Sequence, residues 1–237
     1  MDTTRNSSPC LDTKALTPED GICTSKLYVT LGLEGGTGSP KILSLLSSLL
    51  QESVEKNETL LQTTQRKDVL TIFHGSKAPS LTIQQYMERI FKYSRCSPSC
   101  FIVAHIYIQR LIQSENIMLT SLTVHRLLIT SILLATKFID EAFYNNAYYA
   151  KVGGVTTAEM NRLEMKFLFA INFQLHVNLN TFRKYCIEVI SEASREQIQV
   201  DVDRPLYAIN SAYSIKDNWS KNESKSSFQP TIEVHIK

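Results

Sequence analysis

Thiol and imidazole side chains are the first groups in this sequence that could do chemistry, as ligands of a metal ion. Cys96 and Cys100 have the spacing C-x3-C, but a structural zinc site needs four ligands and no second pair follows. His74, His105 and His125 are scattered along the chain, which is typical of polar or helix-capping residues. The sequence therefore predicts no metal site and no other cofactor.

A cysteine and a histidine could also act together as a nucleophile and its base. Cys100 and His105 lie on one stretch of helical periodicity, and at about 100° per residue their side chains point about 140° apart. That separation excludes a local dyad in which the imidazole deprotonates the thiol. We therefore predict that the chain is not an enzyme and takes no small-molecule ligand.

A lone lysine follows the most apolar stretch of the chain. In SILLATKFIDE, residues 131–141, Lys137 is the first charged residue. In the last turn of a helix a cation gains about 0.3–1 kcal/mol from the helix dipole, and Glu141 lies one turn further on. A carboxylate on another helix is the alternative partner, and the local sequence leaves both explanations open.

Glu164 is a second charge on an apolar surface. On a helical wheel of about 100° per residue, Met160, Phe167 and Ile171 fall within about 40° of each other, and Glu164 lies between them. Burying a carboxylate is costly unless it is paired or hydrogen-bonded. Glu164 therefore lies at the exposed edge of a bundle or pairs with a cation such as Lys137, and that pair could bind the backbone of another protein.

The elements that must position these charges are predicted to be helices, because apolar residues recur at spacings of three and four and no convincing period-two stretch occurs. Helices are predicted at 39–57, 82–94, 97–113, 120–141, 143–154, 156–171 and 178–196. Their ends are assigned to Ser39 with Pro40, Thr82 with Gln85, Ser97 with Pro98, Ser121, Gly153 with Gly154, and Thr156. The helix at 120–141 is apolar on nearly all sides, which predicts an all-α fold with this helix ringed by four others.

Composition divides the chain into a core and two tails. Residues 1–38 mix Ser, Thr, Pro and Gly without a period and are predicted to be a disordered leader. An amphipathic N-terminal helix lies in 39–64, the main bundle in 65–177 and a C-terminal helix in 178–196. Residues 197–237 lack a core pattern and are predicted to be a disordered tail.

Charge and cysteine usage narrow the class of protein. A net charge of +2 without a basic stripe argues against a nucleic-acid partner. The stretch 127–136 would span about 15 Å as a helix, half of the roughly 30 Å that a bilayer core requires. An odd number of scattered cysteines and an N-terminus without a signal-peptide pattern predict an intracellular protein, in the nucleus, the cytoplasm or both.

Three segments in order resemble a known family. YIQRLI, LTVHRLLITSILLATKFIDE and NAYYAKVGGVTTAEMNRLEMKFLFAINFQLHV together resemble a cyclin box, and most closely that of the plant P-type cyclins, also called U-type. These are similar to the yeast phosphate-signalling cyclin. The resemblance extends from about Pro40 to Glu196.

The resemblance implies an all-α five-helix cyclin box, flanked by the two extra helices. Its implied role is to bind and activate a cyclin-dependent kinase, which in plants would be of the A-type. In such proteins the lysine of the third box helix and the glutamate of the fifth meet the αC helix of the kinase. Here these are Lys137 and Glu164, with Phe138, Asp140 and Glu141 around them. The process would be cell division, phosphate-linked signalling or both, and the helix in 39–64 would pack on the box or extend the kinase contact.

Some cyclin features are missing from this chain. The segment 178–237 is too short for a second five-helix unit, and QQYMERIFKYS lacks the Met-Arg-Ala-Ile-Leu motif through which mitotic-type cyclins dock substrates. The alternative function is that of a TFIIB-like transcription adaptor, since such adaptors also contain cyclin folds. That function would require a basic face or a zinc ribbon, and neither is visible in the sequence.

Overall fold

The computed structural model describes residues 27–33, 38–65, 68–115 and 117–201, with side chains described up to residue 192. Within these ranges the regular structure is helical, as predicted, and no strand occurs. Helix α1 covers residues 27–31. The longer helices are α2 (Lys41–Thr64), α3 (Ile83–Ser94), α4 (Ser99–Glu115), α5 (Val124–Ile139), α6 (Asn146–Gly153), α7 (Thr157–Ala170) and α8 (Leu179–Asp201).

Several helix ends follow from local hydrogen bonds that the sequence predicted. Thr82 and Gln85 form a reciprocal capping box at the start of α3. The Thr156 hydroxyl accepts a hydrogen bond from the Glu159 backbone N–H at the start of α7, and Gly154 ends α6 with a φ of 74°. That left-handed conformation favours glycine because it has no Cβ.

Three other predicted caps are wrong. Pro40, not Ser39, occupies the N-cap of α2, and α5 begins after Thr123 rather than after Ser121. The Ser97 hydroxyl donates to the Asp140 carboxylate of another segment instead of capping α4. For Ser97, a tertiary contact takes the hydroxyl that the local pattern assigned to the cap.

The chain ends are more ordered than predicted. Residues 27–33 belong to the predicted disordered leader, yet 27–31 are helical and Leu31 is fully buried against the core. Helix α2 continues to Thr64 instead of ending near 57, and α8 continues to Asp201, past the predicted end at 196. The remaining leader residues, 1–26 and 34–37, and the tail residues 202–237 lie outside the described part of the chain.

Helix α5 forms the centre of the bundle. It packs against α3, α4, α6 and α7, and every residue from Val124 to Thr136 except Arg126 is buried. The buried hydroxyls donate to carbonyl groups of their own helix, for example Thr130 to Arg126 at 2.7 Å and Ser131 to Leu128 at 3.1 Å. The predicted central helix with four neighbours is therefore confirmed.

Helices α2 and α8 pack outside this bundle. Helix α2 contacts α3, α4 and α8 through an apolar stripe that includes Ile42, Leu46 and Leu50. Near its C-terminal end, the Asn57 amide donates to the Leu119 carbonyl at 2.9 Å. This helix therefore packs on the bundle, which is one of the two roles considered for it.

Helices α5 and α6 approach so closely that Gly153 has no room for a side chain. A Cβ atom built on Gly153 would lie 2.7 Å from Cγ1 of Ile129 and 3.2 Å from the Tyr86 hydroxyl. The same hydroxyl donates to the Gly153 carbonyl at 3.1 Å. Glycine here lets the end of α6 contact both α3 and α5.

We expect Gly153→Ala to lower the free energy of unfolding by about 1–3 kcal/mol, because the added methyl group overpacks this contact. Gly38→Ala is the matched control, since nothing lies within 4 Å of a Cβ at that position, and its stability should be unchanged or slightly higher. Urea denaturation of both variants measures the difference. Equal stability of the two variants would contradict the close approach.

Candidate partner-binding site

The two charges singled out in the sequence form an ion pair between helices. Nζ of Lys137, in the last turn of α5, donates to Oε1 of Glu164 on α7 at 2.7 Å. The Lys137 side chain is 29% exposed and that of Glu164 only 12%. The partner of Lys137 is thus a carboxylate from another helix. Glu141, the alternative partner, does not form this ion pair.

Asn146, the first residue of α6, holds the second oxygen of the same carboxylate. Its Nδ2 donates to Oε2 of Glu164 at 2.6 Å and to Oδ1 of Asn161 at 2.7 Å. The preceding Asn145 caps the helix by accepting from the Tyr148 backbone N–H. Both oxygens of a mostly buried carboxylate are therefore satisfied, which offsets the cost of removing it from water.

Sequence reasoning missed Asn146, although the pair Asn145-Asn146 before a short helix was a usable signal. One asparagine suffices to cap a helix, which leaves the other amide free for a different partner. That partner lies on α7 and becomes visible only when the helices are packed. The ends of α5 and α6 and the middle of α7 therefore meet at one carboxylate.

Exposed apolar side chains flank the ion pair along the chain. Phe138 and Ile139 follow Lys137, and Met165 follows Glu164. Each of these three is more than 40% exposed, whereas single large apolar residues on a surface are usually scattered. Further exposed aromatic residues are Phe143 and Tyr144 after α5, and Phe169 and Phe173 at the end of α7.

Asp140 and Glu141, the other predicted contact residues, differ in where they point. Helix α5 ends at Ile139, and Asp140 has an extended conformation. Oδ1 of Asp140 accepts from the Ser97 hydroxyl at 2.8 Å, and Oδ2 accepts from the Ser97 backbone N–H at 3.0 Å and the Cys100 thiol at 3.2 Å. Asp140 thus holds the start of α4 against the end of α5, while Glu141 is exposed.

The thiols of Cys96 and Cys100 lie inside the protein. Cys96 accepts from the Ser94 hydroxyl at 3.1 Å. The hydrogen bond that Cys100 shares with Cys96, together with burial, raises the pKa of the Cys100 thiol, which keeps it protonated and a poor nucleophile. Within the described residues no group of three or more histidine, cysteine and acidic side chains could hold a metal ion.

His105 and His74 have separate structural contacts. Burial lowers the pKa of His105 to about 4. Its ring packs against that of Tyr185 on α8 with an interplanar angle of 74° and the ring centroids 6.1 Å apart. His74 accepts from the Thr71 backbone N–H and pairs with Asp68 at 2.9 Å.

In the ranges that the structure describes, no helix is both long enough and apolar enough to cross a membrane.

The sequence matches the family model described as Cyclin over residues 42–175, which is more than half of the chain. The chain therefore belongs to the cyclin family. Rice Cyclin-P3-1 (Oryza sativa subsp. japonica) is 49% identical over 203 residues, which cover 83% of this chain and 84% of the rice protein.

Two Arabidopsis thaliana proteins give the same result. Cyclin-U4-1 is 48% identical over 154 residues, covering 65% of this chain and 76% of that protein. Cyclin-U3-1 is 42% identical over 191 residues, covering 79% of this chain and 86% of that protein. Within the family, the chain thus belongs with the plant P-type and U-type cyclins, as its sequence motifs predicted.

We expect Asp140→Ala to lower the free energy of unfolding by about 1–3 kcal/mol, because it leaves the partly buried donors of Ser97 and the thiol of the buried Cys100 without this acceptor. Glu141→Ala, an exposed neighbour with the same charge, should change stability by no more than about 0.5 kcal/mol. Thermal unfolding followed by circular dichroism compares them. If Asp140→Ala were as stable as Glu141→Ala, Asp140 would not hold the start of α4.

Proposed function

We propose that this chain is a regulatory subunit that binds a cyclin-dependent kinase and holds the αC helix of the kinase in its active position. The chain itself performs no chemistry. Membership of the cyclin family supports the proposal. The observation that carries it is the ion pair between Lys137 and Glu164, which is mostly removed from water and flanked by exposed apolar side chains.

The physical role is a shift in the conformational equilibrium of the partner. A protein kinase is competent when the lysine of its strand β3 pairs with a glutamate of αC. A subunit that binds the αC-in arrangement more tightly than the αC-out one increases the active population by its difference in affinity. No group of this chain needs to enter the active site of the kinase.

The ion pair can recognise the backbone at the end of a partner helix. Lys137 donates one hydrogen bond to Glu164, and in the described part of the chain its other two N–H donors have no partner. Because Asn146 and Glu164 fix the position of the ammonium group, little conformational entropy remains to be lost when the kinase binds. Backbone carbonyls at a helix C-terminus are suitable acceptors.

The exposed apolar residues supply apolar surface that can be buried against a partner, which an ion pair alone does not provide. Phe138 is 48% exposed and Met165 49% exposed, so each has apolar surface left to bury. Aromatic residues near the centre of an interface contribute much of the binding energy, provided that surrounding contacts exclude water. The charged pair then determines orientation, and the apolar surface supplies affinity.

Family membership, rather than the geometry of the site, supports the partner class that we propose. Plant P-type and U-type cyclins are the similar proteins, so the partner we propose is an A-type cyclin-dependent kinase acting in cell division or phosphate-linked signalling. The chain would act in the nucleus, the cytoplasm or both, without a nucleic-acid, membrane or small-molecule partner. No observation favours a TFIIB-like adaptor.

The central test is a double-mutant cycle at Lys137 and Glu164 against a plant A-type kinase. We expect each single change to alanine to weaken binding by about 2–5 kcal/mol, because it leaves the other charge unpaired at the interface. The double variant should lose less than the sum of the two. Isothermal titration calorimetry measures affinity, and phosphorylation of a peptide substrate measures activation.

The chain contains a matched control pair. Lys166 on α7 and Glu115 on α4 form an interhelical ion pair of the same residue types at 3.0 Å, which is more exposed, and their alanine variants should bind the kinase like wild type. If wild type and the Lys137→Ala, Glu164→Ala double variant bound equally well, the site would be wrong. If the wild-type chain bound no kinase, the proposed function would be wrong.

We also expect Phe138→Ser to weaken kinase binding by about 1–3 kcal/mol while leaving stability within about 0.5 kcal/mol, because the side chain is half exposed in the free protein. Ile187→Ser is the control, since Ile187 is 55% exposed on α8. Calorimetric titration and thermal unfolding separate the two effects. Equal loss of binding in both variants would argue against a specific contact at Phe138.

A further inference from the structure

A cavity lies where the two flanking helices, α2 and α8, meet α4. Its volume is about 330 Å³, which is at the lower end of the range of roughly 300–1,000 Å³ for ligand-binding cavities in proteins. All three helices supply lining residues, and among those in the described chain none belongs to α5 or α7. The cavity is therefore separate from the surface at Lys137 and Glu164 that is proposed to bind the kinase.

Carboxylates outnumber cations around this cavity. Glu52 on α2 and Glu188 and Glu192 on α8 line it, whereas Lys56 is the only basic lining residue in the described chain. Lys56 pairs with Glu52, and Lys184, outside the lining, approaches Glu188 at 3.7 Å. Glu192 has no hydrogen bond or ion pair with its side chain in the described residues. Three carboxylates thus share two ammonium groups, and one negative charge is left without a partner.

These carboxylates lie at the entrance of the cavity. The side chain of Glu52 is 44% exposed and that of Glu188 is 47% exposed, and Glu192 is exposed as well. At an ionic strength of 0.1 M, exposed charges act on a ligand over a distance of about 10 Å. A cation that approaches this side of the protein is therefore attracted to the entrance.

The base of the cavity contains a polar side chain without a partner. His105 lines the cavity, and its Nδ1 atom is buried and makes no hydrogen bond. Burial lowers the pKa of His105 to about 4, so the ring is neutral at pH 7 and does not repel a cation. With the proton on Nε2, Nδ1 is an acceptor that lacks a donor. Such atoms are rare in native proteins, and here they indicate a ligand that brings N–H groups.

An aromatic ring lies beside this histidine. Tyr185 on α8 also lines the cavity, and its packing against His105 restricts the orientation of the tyrosine ring. The face of a tyrosine ring attracts cations, and the flat guanidinium group of arginine stacks on such a ring better than an ammonium group does. A guanidinium group also carries five N–H donors, which suit a site whose unpartnered groups are acceptors.

We propose that this cavity binds the guanidinium group of an arginine side chain from a partner protein. The guanidinium group stacks on Tyr185, donates to the unpaired carboxylate of Glu192 and brings N–H donors towards His105. The long stem of arginine allows the backbone of the partner to remain outside, at the entrance. A metal ion fits less well, because the described residues contain no group of three or more suitable ligands. The inference goes beyond the proposed function and does not depend on it.

The test uses the full chain without a kinase and three pools of fluorescein-labelled dodecapeptides. The pools share glycine, alanine and serine positions and differ only at the remaining positions, which carry arginine, lysine or citrulline, the uncharged analogue of arginine. Fluorescence anisotropy should show that the arginine pool binds at least about tenfold more tightly than the citrulline pool, and also more tightly than the lysine pool. Added salt should reduce the preference over citrulline, because exposed charges are screened.

Glu192→Gln should abolish the preference for arginine over citrulline, because it removes the unpaired charge and keeps the shape of the side chain. Glu192 is exposed, so the variant should fold, and thermal unfolding checks this. The control is Glu55→Gln, which makes the same change at an exposed position of α2 outside the lining. It should bind the arginine pool like wild type.

Nuclear magnetic resonance locates the bound group. The ring resonances of His105 should shift when N-acetylarginine amide is added. Those of His176, which is exposed and lies outside the cavity, should stay unchanged and serve as the control. Equal shifts of both rings, or none at His105, would place the arginine elsewhere.

Several further outcomes would overturn the proposal. Equal affinity for the arginine and citrulline pools would remove the charge argument, and an unchanged preference in Glu192→Gln would reject the carboxylate contact. Lysine peptides that bound as tightly as arginine peptides would reject the guanidinium group as the feature recognised. If spermidine bound more tightly than the arginine pool and displaced it, the ligand would be a free polyamine and not a partner protein.

Discussion

The carboxylate of Glu164 constrains the rest of this fold, because a charge with 12% of its side chain exposed must be paired within the protein. Lys137 and Asn146 pair with its two oxygens, and they come from the end of α5 and the start of α6. Three helix positions must therefore coincide within hydrogen-bonding distance. A shift of any of these helices by one residue would leave a buried charge without a partner.

A similar constraint acts on the end of the central helix. Asp140 leaves α5 in an extended conformation and binds Ser97 and Cys100 at the start of α4. The last turn of α5 is thus held on one side by α7 and on the other by α4. Lys137 and Phe138 belong to this turn, so a partner meets side chains whose backbone is already fixed, and less entropy is lost on binding.

The sequence predicted those parts of the molecule that depend on periodicity and local hydrogen bonds. The central helix, the Thr82 cap and the misplaced charge of Glu164 are of this kind. Asn146 and the inward role of Asp140 could not be predicted, because each depends on a residue of another helix. The buried turn at Leu31 was missed for a related reason, since one turn is too short for a helical period to be recognised among Gly, Ser and Thr.

At the C-terminal end of α5 the charges neutralise each other, so affinity for a partner there must come from apolar area and from unused donors. Residues 124–136 of α5 are buried except for Arg126, and α3, α4, α6 and α7 pack around this helix. The backbone that carries Lys137 is therefore held by the whole bundle. A partner that binds at Lys137 meets a surface that is already formed, so little binding free energy is lost in ordering this chain.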